Sequence, residues 1–364
     1  MSMRRQARLS GRSPPRPHMA KRPKNLVGLD IDPSGITAAQ VSVNGRISID
    51  RAAFSPLEPG IVRDGEITDV EGLADALRTL FKENKGLGKR VRVGVANQKI
   101  VVRTMELPYL EDHRELATAV RFHAGDQLPM PMDQAVIDFQ PLEVVDGPDG
   151  RRQRLLVVAA RRDMVERVVA AVRAAGLRPE GVDLSAFAMI RALYRPDPQE
   201  DLVLYLAVGG MTNLAVAKGT RCLFTRGSGG GVEALAIELA ETAELTLDHA
   251  RGWLEHVGLQ AAVEDIDGDE EIVTKARRLL IDGARRIAAE VRNSLDFHHA
   301  QGGEAHVARA VLTGPAAAIP GFEIALSAEL GLPVTLAAVD STPDGLSPGR
   351  VAIAAGLAVE EVAA

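Results

Sequence analysis

Residues Leu26–Val43 read LVGLDIDPSGITAAQVSV, and the rest of the chain is interpreted around them. An apolar run leads into a turn that contains Pro33 and Gly35, two residue types that favour turns. Beyond the turn, Val41 and Val43 alternate with polar neighbours, as in a half-buried strand. The stretch therefore predicts two antiparallel strands joined by a tight turn. Such hairpins are common in β-containing proteins, but their turns can also offer backbone N–H groups to a phosphate.

Two later stretches repeat parts of this pattern. A strand runs into a small-residue turn and out along a second strand in LVLYLAVGGMTNLAVA, residues Leu202–Ala217. A third glycine turn follows an apolar strand in AVLTGPAAAIPG, residues Ala310–Gly321. The two similar hairpins and the late glycine turn resemble the actin-like ATPase (ribonuclease H-like) fold. In that fold two related lobes clamp a nucleotide between two phosphate turns, and the third turn borders the adenosine.

A set of shorter segments makes the resemblance more specific. Between residues 26 and 360 they read AFSPLEPGIVRDGEI (Ala53–Ile67), RTMELP (Arg103–Pro108), LLVVAA (Leu155–Ala160), AGLRP (Ala175–Pro179), FTR (Phe224–Arg226), GGG (Gly229–Gly231), EVRNSLDF (Glu290–Phe297) and AGLA (Ala355–Ala358). Their order resembles that of PilM, the cytoplasmic actin-like family of type IV pilus assembly. The resemblance implies a two-lobed α/β fold with the inserted α+β subdomain that PilM shares with the division protein FtsA.

Length and composition limit the class of protein. A chain of 364 residues exceeds one typical core, so two or more domains are expected. The net charge of −6 argues against nucleic-acid binding by the folded body. The single cysteine, Cys222, excludes an intramolecular disulfide and fits a reducing compartment. No apolar run approaches the roughly 20 residues that span a bilayer, and no signal peptide is recognisable.

The order of predicted elements divides the chain into lobes. Residues 26–100 and 181–200 are expected to form the first actin-like lobe, residues 101–180 the inserted subdomain, and residues 201–364 the second lobe. Residues 1–25 are rich in Arg, Lys, Pro and Ser, so a disordered basic tail is expected. Two interpretations of this tail stay open: attraction to anionic lipid at the membrane surface, or a solvated extension, including one from a misassigned start codon.

The resemblance implies that ATP and Mg2+ bind where the three turns meet. It assigns nucleotide contacts to Asp30, Asp32, Ser34, Gly35, Gly209, Gly210, Thr212, Gly230, Gly314 and Pro315. Asp30 is also implied as the acid linked to the metal, and no catalytic residue is assigned.

Four positions depart from the pattern of the family. Asp32 stands where glycine is usual and would place negative charge against phosphate, and Thr37 stands where many relatives have lysine. Ala207 replaces an aspartate that orients metal and water, and Pro315 removes a backbone N–H. A phosphate site depends on N–H donors and cations around the anion. We therefore predict weak ATP binding with little or no hydrolysis.

The expected function is that of a scaffold at the inner face of the plasma membrane. The resemblance implies that the N-terminal peptide of a PilN-like membrane protein binds in a groove between the first lobe and the inserted subdomain. We expect this groove near Val101–Leu107 and the helix Asp112–Gln127. Leu107, Pro108 and Tyr109 fit equally well a buried corner between strand and helix. Contacts with other pilus platform proteins and self-association stay open.

Other functions of the same superfamily are the alternatives. An active ATPase that drives or regulates pilus assembly is one of them, and Ala207 disfavours it. An FtsA-like cell-division protein is another. FtsA relatives end in a basic amphipathic anchor helix, whereas this chain ends in VAIAAGLAVEEVAA, residues Val351–Ala364, which is short and acidic. A sugar kinase has the least support, because no catalytic-base constellation is recognisable.

Overall fold

The computed structural model describes residues 26–125, 128–147, 150–196, 198–199, 201–300, 306–340 and 345–359. The predicted basic tail lies outside the described residues. The strands are β1 (Leu26–Asp32), β2 (Gly35–Val43), β3 (Ile47–Pro56), β4 (Val62–Arg63), β5 (Glu66–Ile67), β6 (Arg90–Val95), β7 (Val101–Pro108), β8 (Ala135–Gly147), β9 (Gly150–Arg161), β10 (Arg178–Leu184), β11 (Leu202–Val208), β12 (Met211–Lys218), β13 (Arg221–Gly229), β14 (Val307–Thr313) and β15 (Val334–Leu336). The α-helices are α1 (Val70–Glu83), α2 (His113–Gly125), α3 (Arg162–Ala174), α4 (Ser185–Leu193), α5 (Val232–Thr242), α6 (Leu247–Val257), α7 (Glu270–Ala300), α8 (Phe322–Leu330) and α9 (Ala352–Ala358).

The first lobe is built on a five-stranded sheet in the order β10-β6-β1-β2-β3. The strands β1, β2 and β3 are antiparallel neighbours, whereas β6 runs parallel to β1 and β10 parallel to β6. Helix α1 begins at its N-cap Asp69, whose carboxylate accepts the N–H of Gly72. Its helical spacing places Leu73, Leu77 and Leu80 in the core beneath the sheet.

The second lobe repeats this sheet in the order β13-β12-β11-β14-β15. Strand β11 takes the place of β1, since it pairs antiparallel with β12 and parallel with β14. Every residue of β11 is buried, as expected for a central strand covered on both faces. Helix α7 covers one face and contributes Leu280, Ile287 and Val291 to the same core as Leu204.

The insertion is a three-stranded antiparallel sheet in the order β7-β9-β8, with α2 on one face. Leu116 and Val120 of α2 pack against Leu155 and Val157 of β9. Two neighbouring segments pack elsewhere: α3 shares the core of the first lobe with α1, and β10 pairs with β6 of that lobe. The part of the insertion with a core of its own therefore consists of the three strands and α2.

Two helices fill the space between the lobes. Helix α4 follows the last strand of the first sheet and packs against β12 of the second, whereas α9 comes from the second lobe and packs against β1 and β2. The two helices also pack against each other. All of α9 is buried, so this part of the closing stretch is an internal element rather than an exposed amphipathic helix. None of the described helices combines the length and hydropathy of a membrane span.

Candidate functional site: the cleft between the turns

The turn between β1 and β2 faces the turn between β11 and β12 across the cleft that separates the lobes. Seven of the expected nucleotide-contacting residues line this cleft, namely Asp30, Asp32, Ser34, Gly35, Gly209, Gly314 and Pro315. Gly210 contacts Asp32 from the opposite turn. Thr212 is fully buried, and its hydroxyl donates to the carbonyl of Gly230 at 2.8 Å. The nucleotide roles of these residues stay a prediction.

The carboxylate of Asp32 accepts hydrogen bonds from both turns. One oxygen accepts the N–H of Ser34 at 2.7 Å, the hydroxyl of Ser34 at 2.6 Å and the N–H of Gly35 at 3.2 Å. The other oxygen accepts the N–H of Gly210 at 2.9 Å across the lobes. A side-chain carboxylate of the protein thus lies where N–H groups of the two turns converge.

Two further backbone donors of the turns are used within the protein. The N–H of Gly209 donates to the carbonyl of Met211 at 2.9 Å, and the N–H of Gly314 donates to that of Gly349 at 3.1 Å. Pro315 has no N–H to offer. The cleft retains a cavity of about 40 Å³, which has room for a few water molecules only.

The acid expected to hold the metal lies in an unfavourable electrostatic environment. Burial raises the pKa of Asp30 to about 8, and the negative charge of Asp32 acts in the same direction. The charge of Arg350 and a hydrogen bond from Ser185 oppose this rise only in part. Asp30 is therefore mostly protonated at neutral pH, and a protonated carboxyl group is a poor metal ligand.

The cation of the cleft, Arg350, is absent from the sequence predictions. Its guanidinium lies over the ring of Phe54, 4.0 Å from the centroid, and its charge interacts favourably with that of Asp32. Its position in the sequence is the one feature that could have indicated it, because Arg350 directly precedes the uniformly apolar segment that forms α9.

Judged by these groups, ATP with Mg2+ does not fit the cleft in this conformation. The N–H donors already have acceptors, the space is small, and Asp30 is neutral at pH 7. Ala207 offers no ligand atom where the family pattern has an acid. Among the described residues, no three side chains of His, Cys, Asp or Glu come together as a metal site.

A second, open groove lies between the insertion and the first lobe. It has a volume of about 480 Å³ and is lined by Arg92, Leu156, Val158, Asp183 and Phe187, among others. A smaller cavity of about 170 Å³ continues it and shares three of these residues.

The groove lies against one face of the three-stranded sheet of the insertion. Successive residues of β9 point to opposite faces of the sheet, so Leu155 and Val157 face α2 whereas Leu156 and Val158 face the groove. The groove therefore lies on the face of the sheet opposite α2, and Val102 and Thr104 of β7, which pair with Val158 and Leu156, share this face. The peptide site expected near Val101–Leu107 and the helix Asp112–Gln127 stays a prediction. Of the three residues of the expected corner, Leu107 is buried in the core beneath α2, Tyr109 is half-buried and Pro108 is exposed.

The repeated five-stranded sheets and the facing turns define a protein of the actin-like ATPase fold. The structure titled "PilM-PilN type IV pilus biogenesis complex" aligns with a TM-score of 0.72 and 24% identity, over 92% of this chain and 98% of that chain. The structure of the ethanolamine utilization protein EutJ from Carboxydothermus hydrogenoformans aligns with a TM-score of 0.53 and 16% identity, over 91% of this chain and 88% of that chain. The structure of MreB5 of Spiroplasma citri bound to ADP aligns with a TM-score of 0.52 and 12% identity, over 92% of this chain and 95% of that chain.

The family follows from the sequence itself. The family model described as "Type IV pilus assembly protein PilM" matches residues 28–342. The chain therefore belongs to the PilM family of type IV pilus assembly proteins. The predicted resemblance and the actin-like fold are thereby confirmed.

Proposed function

We propose that this chain is a scaffold of the type IV pilus assembly platform that binds the N-terminal peptide of a PilN-like membrane protein, with little or no dependence on nucleotide. The open groove between the insertion and the first lobe carries the proposal. A solved relative of the same fold is described as a PilM–PilN complex, which supports the choice of partner. Through this partner the chain would associate peripherally with the inner face of the plasma membrane.

The groove suits an extended peptide. Strand β8 is terminal in the order β7-β9-β8 and therefore presents a free edge among the described strands. An extended peptide can add to such an edge and place alternate side chains in pockets. The neighbouring wall is apolar and consists of Val158, Val182 and Phe187.

Two of the three charged groups that line the groove have partners elsewhere in the protein, and the third, Asp138, accepts the N–H of Phe139 at 2.9 Å. Asp183 forms an ion pair with Arg191, and Arg92 donates to the carbonyls of Leu357 and Val359 at 3.2 and 2.7 Å. Apolar side chains of the peptide would therefore contribute most of the binding, with the edge of β8 fixing its direction.

Phe187→Ala is expected to weaken peptide binding by roughly tenfold or more, because it removes the largest apolar side chain of the wall. The ligand is a synthetic peptide with the N-terminal sequence of the PilN-like protein of the same pilus system, titrated calorimetrically. Val158→Thr, nearly the same shape but more polar, should weaken binding several-fold.

Phe122→Ala is the matched control, because it removes the same ring from the exposed face of α2, where 76% of Phe122 is accessible. Peptide affinity should be unchanged in this variant. Loss of binding in Phe122→Ala with full binding in Phe187→Ala would place the peptide along α2 and contradict the proposal. Peptide affinity that requires ATP and Mg2+ would favour the active ATPase instead.

A further inference from the structure

We propose that Asp32 is a built-in substitute for a nucleotide phosphate: its carboxylate holds the two lobes together across the cleft and keeps polyphosphate anions out. The inference deepens the proposed function, because it gives a reason for nucleotide independence at the actin-like cleft. It concerns the cleft alone and makes no use of the peptide groove.

The donors around the Asp32 carboxylate match those of a phosphate site in number and origin. Turns of this kind hold phosphate through converging backbone N–H groups, and a carboxylate presents two anionic oxygens with comparable acceptor capacity. Asp32 accepts three donors from its own turn, two from Ser34 and one from Gly35, and a fourth from Gly210. An incoming phosphate would have to displace the carboxylate from these donors.

The two turns lie close to each other across the cleft. A Cβ atom at Gly210 would lie 2.5 Å from the nitrogen of Ser34 and 2.9 Å from a carboxylate oxygen of Asp32. A Cβ at Gly209 would lie 2.9 Å from the other carboxylate oxygen and 3.0 Å from the ring of Pro315. The turns thus meet nearly backbone to backbone, with only the Asp32 side chain between them.

Neighbouring groups reinforce the closure of the cleft. Arg251 of α6 forms ion pairs with Glu233 and Asp248, and reaches the carbonyl of Ser34 in the other lobe at 3.5 Å. At the far end of the cleft, Asp64 in the hairpin between β4 and β5 lies against Gly229. A Cβ atom at Gly229 would lie 2.2 Å from the carboxylate of Asp64. The glycine run that the family resemblance places near ribose and adenine is thereby covered from the first lobe.

Restoring glycine at position 32 provides the first test. In the wild-type protein, millimolar ATP or pyrophosphate with Mg2+ should leave the melting temperature unchanged. In Asp32→Gly, both anions should raise it in a concentration-dependent manner, because the released N–H groups become available. An equal rise in the wild-type protein, or no rise in a folded Asp32→Gly variant, would overturn the proposal.

Asp69→Gly is the matched control. It also replaces by glycine an aspartate of the first lobe that accepts a local N–H, that of Gly72 at 2.9 Å, but it bonds nothing across the cleft. Neither ATP nor pyrophosphate should stabilise this variant. A gain equal to that of Asp32→Gly would mean that removal of any negative charge suffices, and would refute the role of Asp32.

Hydrogen–deuterium exchange of peptides that span Gly210 tests the closure without any ligand. Asp32→Asn keeps the shape of the side chain but loses the anionic acceptor, so exchange there should accelerate by roughly ten- to a hundredfold, as for one hydrogen bond to a charged group. Unchanged exchange in Asp32→Asn would overturn the closure. Failure of the wild-type protein to bind the PilN-like peptide would refute the proposed function alone, because neither readout uses that peptide.

Discussion

Gly356→Ala is expected to lower the free energy of unfolding by at least about 3 kcal/mol, the upper end of the usual range for overpacking. Gly356 lies in α9, where that helix crosses α4. A Cβ atom there would lie 1.9 Å from the carbonyl oxygen of Ala188 and 2.5 Å from its carbonyl carbon. Because these are backbone atoms of α4, no side-chain rotation can relieve the contact. Urea unfolding of the purified variant measures the loss.

Gly252→Ala is the control, since it makes the same substitution in a helix without the contact. Gly252 lies on the exposed face of α6, and a Cβ there would meet no atom within 4 Å. The greater helix propensity of alanine should leave stability unchanged or raise it by about 0.5–1 kcal/mol. Equal stability of the two variants would show that the crossing of α4 and α9 adapts to a methyl group.

The same crossing joins elements of the two lobes. Gly28 of β1 makes a similar contact on the other side of α9, because its Cβ would lie 1.9 Å from the carbonyl oxygen of Ala354. A helix contributed by the second lobe is thus packed between the first sheet and α4 at backbone distance. Helix packing behind the cleft and the Asp32 contacts within it both favour closure without a bound nucleotide.

The sequence predicts best those elements that carry their own pattern. The apolar spacing from Val70 to Glu83 predicts α1 with the bounds observed, and the amphipathic run Ile272–His298 falls within α7. Such periodicity is a local property, so it survives without knowledge of the tertiary partners. The arrangement of strands into two equivalent sheets is not local, and its prediction came from the resemblance to PilM.

Two elements have no usable local signal. Strand β10 reads RPEGVDL, where Pro179 and Gly181 suggest a break, and the register with β6 indeed shifts between them. It is a strand because β6 offers a parallel partner. Helix α9 reads AIAAGLA and lacks a polar face, because it is enclosed between the lobes.

For the site, the sequence predicts which turns come together, but not which atoms of those turns are in contact. The resemblance to PilM implies that the turns of Asp32, Gly209 and Gly314 meet, and the three residues line one cleft, whereas their contact with a nucleotide stays a prediction. The sequence predicts a charge that opposes phosphate, whereas the structure adds that the Asp32 carboxylate accepts the N–H of Gly210, which lies 178 positions later in the chain. That contact depends on how the lobes dock, and no pattern within either turn encodes docking.

Asp30→Asn is expected to stabilise the protein increasingly as the pH rises. Burial raises the pKa of Asp30 from 3.8 to about 8. Between these values the folded state holds a proton that the unfolded state has released, so the wild-type protein loses stability as the pH increases through this window. Asparagine is close in shape to the protonated acid, can still accept from Ser185 and does not ionise. The difference between the two proteins should therefore be small near pH 4 and reach a plateau above pH 8.

The size of this difference in the free energy of unfolding follows from the shift in the pKa of Asp30. Each pKa unit corresponds to about 1.4 kcal/mol, so a shift from 3.8 to about 8 sets an upper limit of roughly 6 kcal/mol on the difference at the plateau. Urea unfolding of both proteins across the pH range measures it. Asp50→Asn is the control, because Asp50 is exposed and accepts a hydrogen bond from the nearby hydroxyl of Ser42 at 2.9 Å. A constant difference between Asp30→Asn and the wild-type protein at all pH values would mean that Asp30 is ionised in the folded state, and the cleft would then retain a charged acid able to bind a metal.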